Sequence, residues 1–216
     1  MPDDDILTLY YSPQSRASAV RVLLEELGAP YHLHVLNMKA GEQRQAAYLA
    51  INPMGKVPAI RHRGGLITES VAVYLYLADE FPAAGLAPRI GDPLRGPYLR
   101  WMVFYGSCFE PAMQDKAMGR SGGAPQQSGY GDFDTMFKTF ADQLRPGPYM
   151  LGERFSAADI LWGSALRWMT MFKLVPDLPE ITAYVGRVCG RPSFAKIAAL
   201  EAALVTEHEK AVAAKV

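Results

Sequence analysis

Two short segments hold the residues whose types could do chemistry. Residues 52–58 read Asn-Pro-Met-Gly-Lys-Val-Pro, and Glu69 and Ser70 follow soon after. The proline and glycine of residues 52–58 predict a turn. Pro58 predicts a strand that lies at a sheet edge or is sharply interrupted, because proline cannot donate to a strand ladder. A cis Val57-Pro58 bond, which costs about 0.5–1 kcal/mol, would turn the backbone of Val57 towards an extended ligand. The segment therefore predicts main-chain pairing with a peptide.

Glu69 and Ser70 stand where a helix is predicted to begin. Apolar residues at helical spacing follow them, at Val71, Tyr74, Leu75 and Ala78. The unpaired amides at a helix start, together with the positive end of the helix dipole, bind carboxylates. Glu69 can accept a hydrogen bond from an ammonium group. The pair predicts a site for an α-amino acid group, with the alternative that Ser70 only caps the helix and Glu69 is solvated.

Composition and charge exclude some classes of partner. The chain has 216 residues, half of them apolar, and its 22 basic and 22 acidic residues balance. This length suits one large or two small domains. A balanced chain has no overall field for nucleic acid or an anionic membrane, so we expect neither as a partner. No signal peptide or membrane-spanning run is evident, and we expect a cytoplasmic protein.

The cysteines and histidines do not form a metal pattern. Cys108 and Cys189 are far apart in apolar, helical surroundings, which predicts two buried thiols without a disulfide and without a nucleophilic role. The four histidines have no ligand spacing either. We expect no metal site.

Hydrophobic periodicity predicts the elements that must position these residues. The first part of the chain is predicted as strand, helix, strand, short helix, two hairpin strands and helix, over 6–11, the run to Gly28, 31–36, 42–50, 56–61, 66–68 and 70–80. One helical crossover and one tight turn between strands predict a mixed, four-stranded sheet covered by helices. The Pro- and Gly-rich stretch 81–92 is predicted to be a linker.

Everything beyond the linker is predicted to be helical. One long helix should run from Asp92-Pro93 to near Gly119 with a kink at Pro111, and further helices should cover 130–144, 157–170, 178–188 and 193–210. Ser156 and Asp159 form a capping-box pattern, which stabilises a helix start by about 1 kcal/mol. We interpret this box as structural rather than catalytic.

Four of these segments, in this order, give the chain a family resemblance. They are Tyr-Tyr-Ser-Pro-Gln-Ser-Arg at 10–16, the segment 52–58, Glu69-Ser70, and Phe-Ser-Ala-Ala-Asp-Ile at 155–160. The chain resembles the cytosolic glutathione S-transferases of the bacterial type, which are theta-, delta- or beta-like, and here a serine stands in the catalytic position. The resemblance implies an α/β thioredoxin-like domain over 1–81, a linker over 82–92, an all-α helical domain over 93–216, and a homodimer.

The resemblance also implies a glutathione site. The backbone of Val57 would pair with the cysteinyl part of glutathione, with Pro58 as the cis proline that follows. Glu69 and Ser70 would hold the γ-glutamyl end. The glycine carboxylate would be held by two lysines, Lys56 and Lys39, of which Lys39 is equally well read as a solvated surface residue.

The catalytic residue implied by the resemblance is Ser15, which follows Pro-Gln at the entrance to the first helix. Its hydroxyl would donate a hydrogen bond to the glutathione thiolate, helped by the helix N-terminus. Ser15 is otherwise only an N-cap, and the open alternatives are Ser12, Ser18, Tyr10 and Tyr11. Arg16, standing where beta-like enzymes carry cysteine, argues against a disulfide between glutathione and the protein.

The second substrate would be a hydrophobic electrophile in a pocket that includes Tyr11 and Tyr105, although aromatic residues on one long helix are also typical of a core. The implied activity is glutathione transfer in detoxification. Glutathione-dependent peroxide or disulfide reduction, isomerisation, dehalogenation, or glutathione binding without turnover are the alternatives. Glu110 receives no role.

Overall fold

The structure, a computed structural model, describes residues 5–213. Residues 1–4 and 214–216, which the predicted domain ranges include, lie outside the described residues. The chain forms two compact units: residues up to 84 together with those from 192 onward, and residues 85–191. The division into domains by the predicted ranges stays a prediction.

Both units are built from short, well-bounded elements. The strands are β1 (Leu7–Tyr11), β2 (Tyr31–Val35), β3 (Ala59–His62) and β4 (Gly65–Ile67). The helices are α1 (Arg16–Leu27), α2 (Ala46–Leu49), α3 (Ser70–Glu80), α4 (Arg95–Phe104), α5 (Glu110–Ala117), α6 (Phe133–Leu144), α7 (Ala157–Met171), α8 (Pro179–Cys189) and α9 (Pro192–Ala213). None of these helices within residues 5–213 is long and apolar enough to cross a membrane.

The sheet of the first unit has the strand order β2-β1-β3-β4. Strand β1 runs parallel to β2 and antiparallel to β3, with Tyr10 opposite Ala59, and β4 is antiparallel to β3, with Ile60 opposite Ile67. The predicted mixed, four-stranded sheet with helices is therefore confirmed. Helix α1 ends where the sequence predicts, at Gly28, whose φ of 64° is the left-handed conformation that glycine favours.

One predicted helix is wrong in its extent. Residues 42–50 form a 3-10 turn over Glu42–Arg44 and then the short α2, because Gln45 between them is extended, with φ −78° and ψ 151°. The side chain of Glu42 accepts a hydrogen bond from the amide of Asn37 at 2.7 Å, which holds the turn against the end of β2. The predicted helix is therefore interrupted at Gln45.

In the second unit, the predicted long helix is divided by its proline. Between α4 and α5, residues Tyr105–Phe109 form a π-helical segment, and the amide of Glu110 bonds the carbonyl of Tyr105, five residues back. Pro111 has no amide hydrogen and its ring crowds the preceding turn, so the helix widens just before it. The helical path continues through this segment into α5, and the kink at Pro111 stays a prediction.

An aromatic cluster fills the core of the second unit. The rings of Trp162 and Phe140 stack at 4.6 Å, and Phe109 lies edge-on to Trp162 at 4.7 Å. The indole nitrogen of Trp162 donates to the carbonyl of Trp101 at 3.2 Å, so the buried N–H is satisfied. The cluster ties the π-helical segment to α6 and α7.

The capping box at the start of α7 is present and structural, as the sequence predicts. The fully buried carboxylate of Asp159 accepts hydrogen bonds from the amide and hydroxyl of Ser156, at 2.8 and 3.1 Å, through one oxygen. Its other oxygen accepts from the amide of Met150 at 2.7 Å and the hydroxyl of Tyr184 at 2.8 Å. One carboxylate therefore joins a helix start, the preceding loop and α8.

Helix α9 packs on the first unit, against α1 and the 3-10 turn over Met38–Ala40. The predicted range 93–216 had grouped it with the helical domain. At its start, Ser193 donates to Glu26 at 2.6 Å, and Lys196 pairs with Glu25 at 2.5 Å. Its apolar side chains Phe194 and Ile197 are buried, and α9 lies in contact with α1.

Candidate active site

The sheet topology brings the predicted site residues to one edge of the sheet, the one formed by the ends of β1, β2 and β4 and the start of β3. Strands β1 and β2 are parallel, so both of their carboxyl ends, leading to Ser15 and Lys39, lie on the same side. Strand β3 runs the other way and β4 returns. The start of β3, after Val57, and the end of β4, before Glu69, therefore lie at this edge too.

The loop before β3 is fixed by hydrogen bonds to its own carbonyls. The carbonyl of Lys56 accepts from the hydroxyl of Tyr48 at 2.6 Å and from the side-chain amide of Asn52 at 2.9 Å. The amide of Gly55 closes the predicted turn on the carbonyl of Asn52 at 2.8 Å. The side chain of Lys56 itself is exposed. These hydrogen bonds fix the loop that leads into Val57.

Val57 follows this fixed loop, and its peptide bond to Pro58 is cis. Both side chains are buried. Among the residues that the structure describes, no hydrogen bond joins the amide or carbonyl of Val57 to another backbone group. This main chain is therefore available to an extended ligand, as the sequence predicts.

Glu69 has an unusual backbone. Its φ of 62° and ψ of 118° lie outside the regions that residues with a side chain prefer, at a cost of about 1–3 kcal/mol. It occupies the N-cap position of α3, without a side-chain cap bond, and Ser70 is the first helical residue. The expectation that Ser70 is the cap is therefore wrong by one position. Glu69 is exposed, and the first-turn amides of α3 come directly after it, where helix amides lack partners within the helix.

Ser15 is the N-cap of α1. Its hydroxyl oxygen accepts a hydrogen bond from the amide of Ala17 at 3.1 Å and its proton is donated to the carbonyl of Ser12 at 2.7 Å. Ser15 and Ser12 also line a cavity of about 230 Å³ at this edge of the sheet. The hydroxyl is therefore both a cap and part of a cavity wall.

The structure separates the alternatives to Ser15. Ser12 lines the same cavity, whereas the hydroxyl of Ser18 is buried and has no hydrogen-bond partner within residues 5–213. The ring of Tyr10 is buried against those of His34 and Tyr48, at 5.1 and 5.8 Å. Of the alternatives to Ser15 that the sequence left open, only Ser12 lines this cavity.

The structure does not place Tyr11 in a pocket for a second substrate. Tyr11 is fully buried and its hydroxyl donates a short hydrogen bond to Glu201 of α9. Burial, and then the bond to Glu201, raise the pKa of Tyr11 above its ordinary value. The guanidinium of Arg21 lies over its ring at 5.3 Å. Tyr11 is a buried link between the sheet and the last helix.

Tyr105, the other residue predicted for that pocket, packs inside the second unit. Only 3% of it is exposed, and its ring meets Trp162 edge-on at 5.2 Å. Its hydroxyl donates to Glu110 at 3.3 Å, which gives Glu110 a local structural contact. The core interpretation of these aromatic residues fits this geometry.

Lys39 lines the cavity with Ser15, and its ammonium binds the carboxylate of Glu209 at 2.7 Å. Within residues 5–213, no group of three or more His, Cys, Asp or Glu side chains could hold a metal ion. The cavity is completed by Pro13, Gln14, Met38, Val205 and His208.

The residues of α9 are those that sequence reasoning missed. Glu201, Val205 and His208 lie on one helical face towards the sheet edge, and the side-chain amide of the buried Asn37 donates to the carbonyl of His208 at 3.2 Å. The signal in the sequence was a glutamate and a histidine on the face that also carries Ile197. Such polar residues on an apolar face need partners.

Comparisons with known proteins agree with this architecture. Residues 6–79 match the family described as Glutathione S-transferase, N-terminal domain, and residues 130–192 match Glutathione S-transferase, C-terminal domain. The glutathione S-transferase-like protein OpS6 of Beauveria bassiana is 30% identical over 201 residues, with 86% of this chain and 90% of that protein covered. The chain belongs to the glutathione S-transferase family.

Other members of the glutathione S-transferase family cover the chain to a similar extent. Glutathione S-transferase GstA of Escherichia coli O157:H7 is 26% identical over 189 residues, which span 86% of this chain and 94% of that protein. A crystal structure of a glutathione transferase homolog from Sulfitobacter, with bound glutathione, is 33% identical, with a TM-score of 0.70 and 89% and 97% of the two chains covered. The predicted family and fold class are confirmed.

Proposed function

We propose that this glutathione S-transferase binds glutathione along the backbone of Val57 and ionises its thiol beside Ser15. The resulting thiolate adds to a hydrophobic electrophile. The observation that carries the proposal is the hydroxyl of Ser15, which stands at a helix N-terminus and on the wall of a cavity. The bound glutathione named for the Sulfitobacter relative supports the choice of thiol.

Each residue of glutathione has a proposed partner at this edge of the sheet. The main chain of Val57 pairs with the cysteinyl residue, and Glu69 with the amides that begin α3 at Ser70 receives the γ-glutamyl group. Lys39 and Lys56 attract the glycyl carboxylate. Each role uses a group that lies at this edge of the sheet.

To stabilise the thiolate, the hydroxyl of Ser15 must donate its hydrogen bond to the glutathione sulfur instead of to the carbonyl of Ser12. A hydrogen bond to a charged acceptor contributes about 1.5–3 kcal/mol, against about 1 kcal/mol for the neutral bond to the carbonyl of Ser12. The exchange therefore favours the thiolate by about 0.5–2 kcal/mol, and the dipole of α1 adds to this. The thiol proton passes to solvent, and the sulfur–carbon bond forms as the leaving group departs with the bonding electrons.

The test is replacement of Ser15 by Ala, with Ser15→Thr as the conservative variant. The energies above predict a fall in kcat/KM of about tenfold at neutral pH for Ser15→Ala, and recovery with Thr. Ultraviolet difference absorbance of bound glutathione, titrated against pH, measures the thiol pKa directly. We expect that pKa to rise in Ser15→Ala.

Two results would count against this proposal. Unchanged conjugation in Ser15→Ala moves the role to Ser12, which lines the same cavity. Glutathione that binds to the wild type without ionising near neutral pH would instead indicate a binding protein. Conjugation of chloronitrobenzene tests the finer assignment to alkyl or aryl transfer.

The assembly and setting implied by the family resemblance belong to the same proposal. We propose a homodimer, with detoxification in the cytoplasm as its setting. The exposed side chain of Met54 in the loop before β3, and that of Leu66 on the edge strand β4, are apolar surface available for association. Light scattering after size-exclusion chromatography tests the dimer.

A further inference from the structure

The wall of the cavity beside Ser15 comes from three parts of the first unit. The turn after β1 supplies residues 12–15, the turn after β2 supplies Met38 and Lys39, and α9 supplies Val205 and His208. Two of these parts lie at the ends of strands, where ligands of α/β proteins bind. The third part comes from the far end of the chain, beyond the segments that match the glutathione S-transferase family.

Helix α9 is fixed beside the cavity by two hydrogen bonds, neither of which uses the side chain of Glu209. Tyr11 donates to Glu201 from the sheet, and Asn37 donates to the carbonyl of His208 at 3.2 Å. Both contacts are buried or half-buried. The helix therefore stays in place when side chains at its exposed margin move.

Glu209 lies at that margin and is already paired with Lys39, which lines the cavity. Its carboxylate meets the ammonium of Lys39 at 2.7 Å, and the two side chains are 59% and 51% exposed. A carboxylate of the protein thus stands where the proposed function brings a carboxylate of the ligand. The ammonium of Lys39 can pair closely with only one of these carboxylates at a time, because two carboxylates at the same cation repel each other.

We infer that Glu209 is an internal competitor of glutathione: it holds Lys39 in the empty site and gives way to the glycyl carboxylate when the ligand binds. The inference rests on the proposed function, since it takes glutathione as the ligand. Only the side chain of Glu209 has to move, because Tyr11 and Asn37 keep α9 in place. The last helix thereby sets the affinity of the site for peptides with a carboxylate at this end.

The size of the effect follows from the exposure of the pair. Exposed ion pairs contribute little, and breaking one changes a binding equilibrium about two- to fivefold at low ionic strength. Removal of the competitor should therefore lower the Kd of glutathione by this factor. Added salt should reduce the difference, because exposed charges are screened.

The experiment is titration calorimetry at low ionic strength with glutathione and with γ-glutamylcysteine, which lacks the glycyl residue. Glu209→Gln should bind glutathione two- to fivefold more tightly than the wild type, with γ-glutamylcysteine unchanged. Glu207→Gln is the matched control, since it removes the same charge from an exposed position two residues away on another face of α9. It should leave both constants close to wild type.

A Lys39→Gln background isolates the pair. There the further change Glu209→Gln should have no effect on glutathione binding, because the shared cation is gone. Glu209→Ala repeats the comparison with a strong helix former, and circular dichroism verifies that α9 is retained in every variant. Loss of the helix in one variant leaves the other to decide.

Each outcome has a definite meaning. Equal glutathione constants in wild type and Glu209→Gln, or an equal gain for γ-glutamylcysteine, overturn the competition while the proposed function stands. Absence of any glutathione binding by the wild type overturns the proposed function and this inference with it. A gain confined to glutathione and dependent on Lys39 supports both.

Discussion

The buried carboxylate of Asp159 offers the sharpest test of the structural argument. It accepts four hydrogen bonds, two at each oxygen, from Ser156, Met150 and Tyr184. Replacement by Asn keeps the shape and one accepting oxygen. The new amide group then faces two donors, of which the hydroxyl can turn to accept while the backbone N–H cannot.

The cost of Asp159→Asn follows from this count. Either orientation of the new side chain leaves one buried backbone N–H unpaired, that of Ser156 or that of Met150, at about 1–3 kcal/mol. We therefore expect the free energy of unfolding of the second unit to fall by about 2 kcal/mol. With a urea m-value of about 2 kcal/mol/M, the midpoint should move by about 1 M. Asp159→Ala removes both acceptors and should cost more.

Tryptophan fluorescence is the natural assay, because the three tryptophans of the chain, Trp101, Trp162 and Trp168, all lie in the second unit. The control is Asp142→Asn, the same chemical change in α6, where the carboxylate meets Lys138 and Arg145 at the surface. Its unfolding curve should overlay that of the wild type. An Asp159→Asn curve that also overlays it would refute the hydrogen-bond count.

Two further predictions concern a thiol and a glycine. Burial raises the pKa of Cys189 to about 11, so about a thousandth of this thiol is ionised at pH 8. In the Cys108→Ser protein, an aromatic disulfide reagent should therefore react with Cys189 only after denaturant is added. Rapid reaction of the folded variant would contradict this. In Gly55→Ala, the new Cβ would lie 2.7 Å from the carbonyl oxygen of Gln43, and we expect a lower melting temperature and weaker glutathione binding by calorimetry. Gly64→Ala shares a positive φ but meets nothing within 4 Å, so it measures the backbone cost alone and should bind glutathione like the wild type.

Features with a local chemical signal could be predicted from the sequence. Gly28 ends α1 in the left-handed conformation, and Ser156 and Asp159 form the box that begins α7. The turn that the sequence predicts before Val57 is closed by the amide of Gly55 on the carbonyl of Asn52. In each case a few neighbouring residues contain the whole physical reason, so reading them along the chain is sufficient.

Features that depend on distant partners could not be predicted. The contact between the hydroxyl of Tyr11 and Glu201 joins residues 190 positions apart in the sequence, so no local pattern indicates it. The helix over 70–80 was predicted with its bounds, but its N-cap is Glu69 rather than Ser70, because the positive φ of Glu69 leaves no trace in residue types. Lys39 could be read equally well as a surface residue, and only the fold brings Glu209 to it.

The return of α9 to the first unit has a consequence for how the protein is made. Synthesis runs from the N-terminus, and a growing chain folds its domains as they emerge. The sheet and α1 leave the ribosome early, but their covering helix follows only after all of residues 85–191. The first unit must therefore wait, with the surface beneath α9 open to water, until residues 192–213 have been translated.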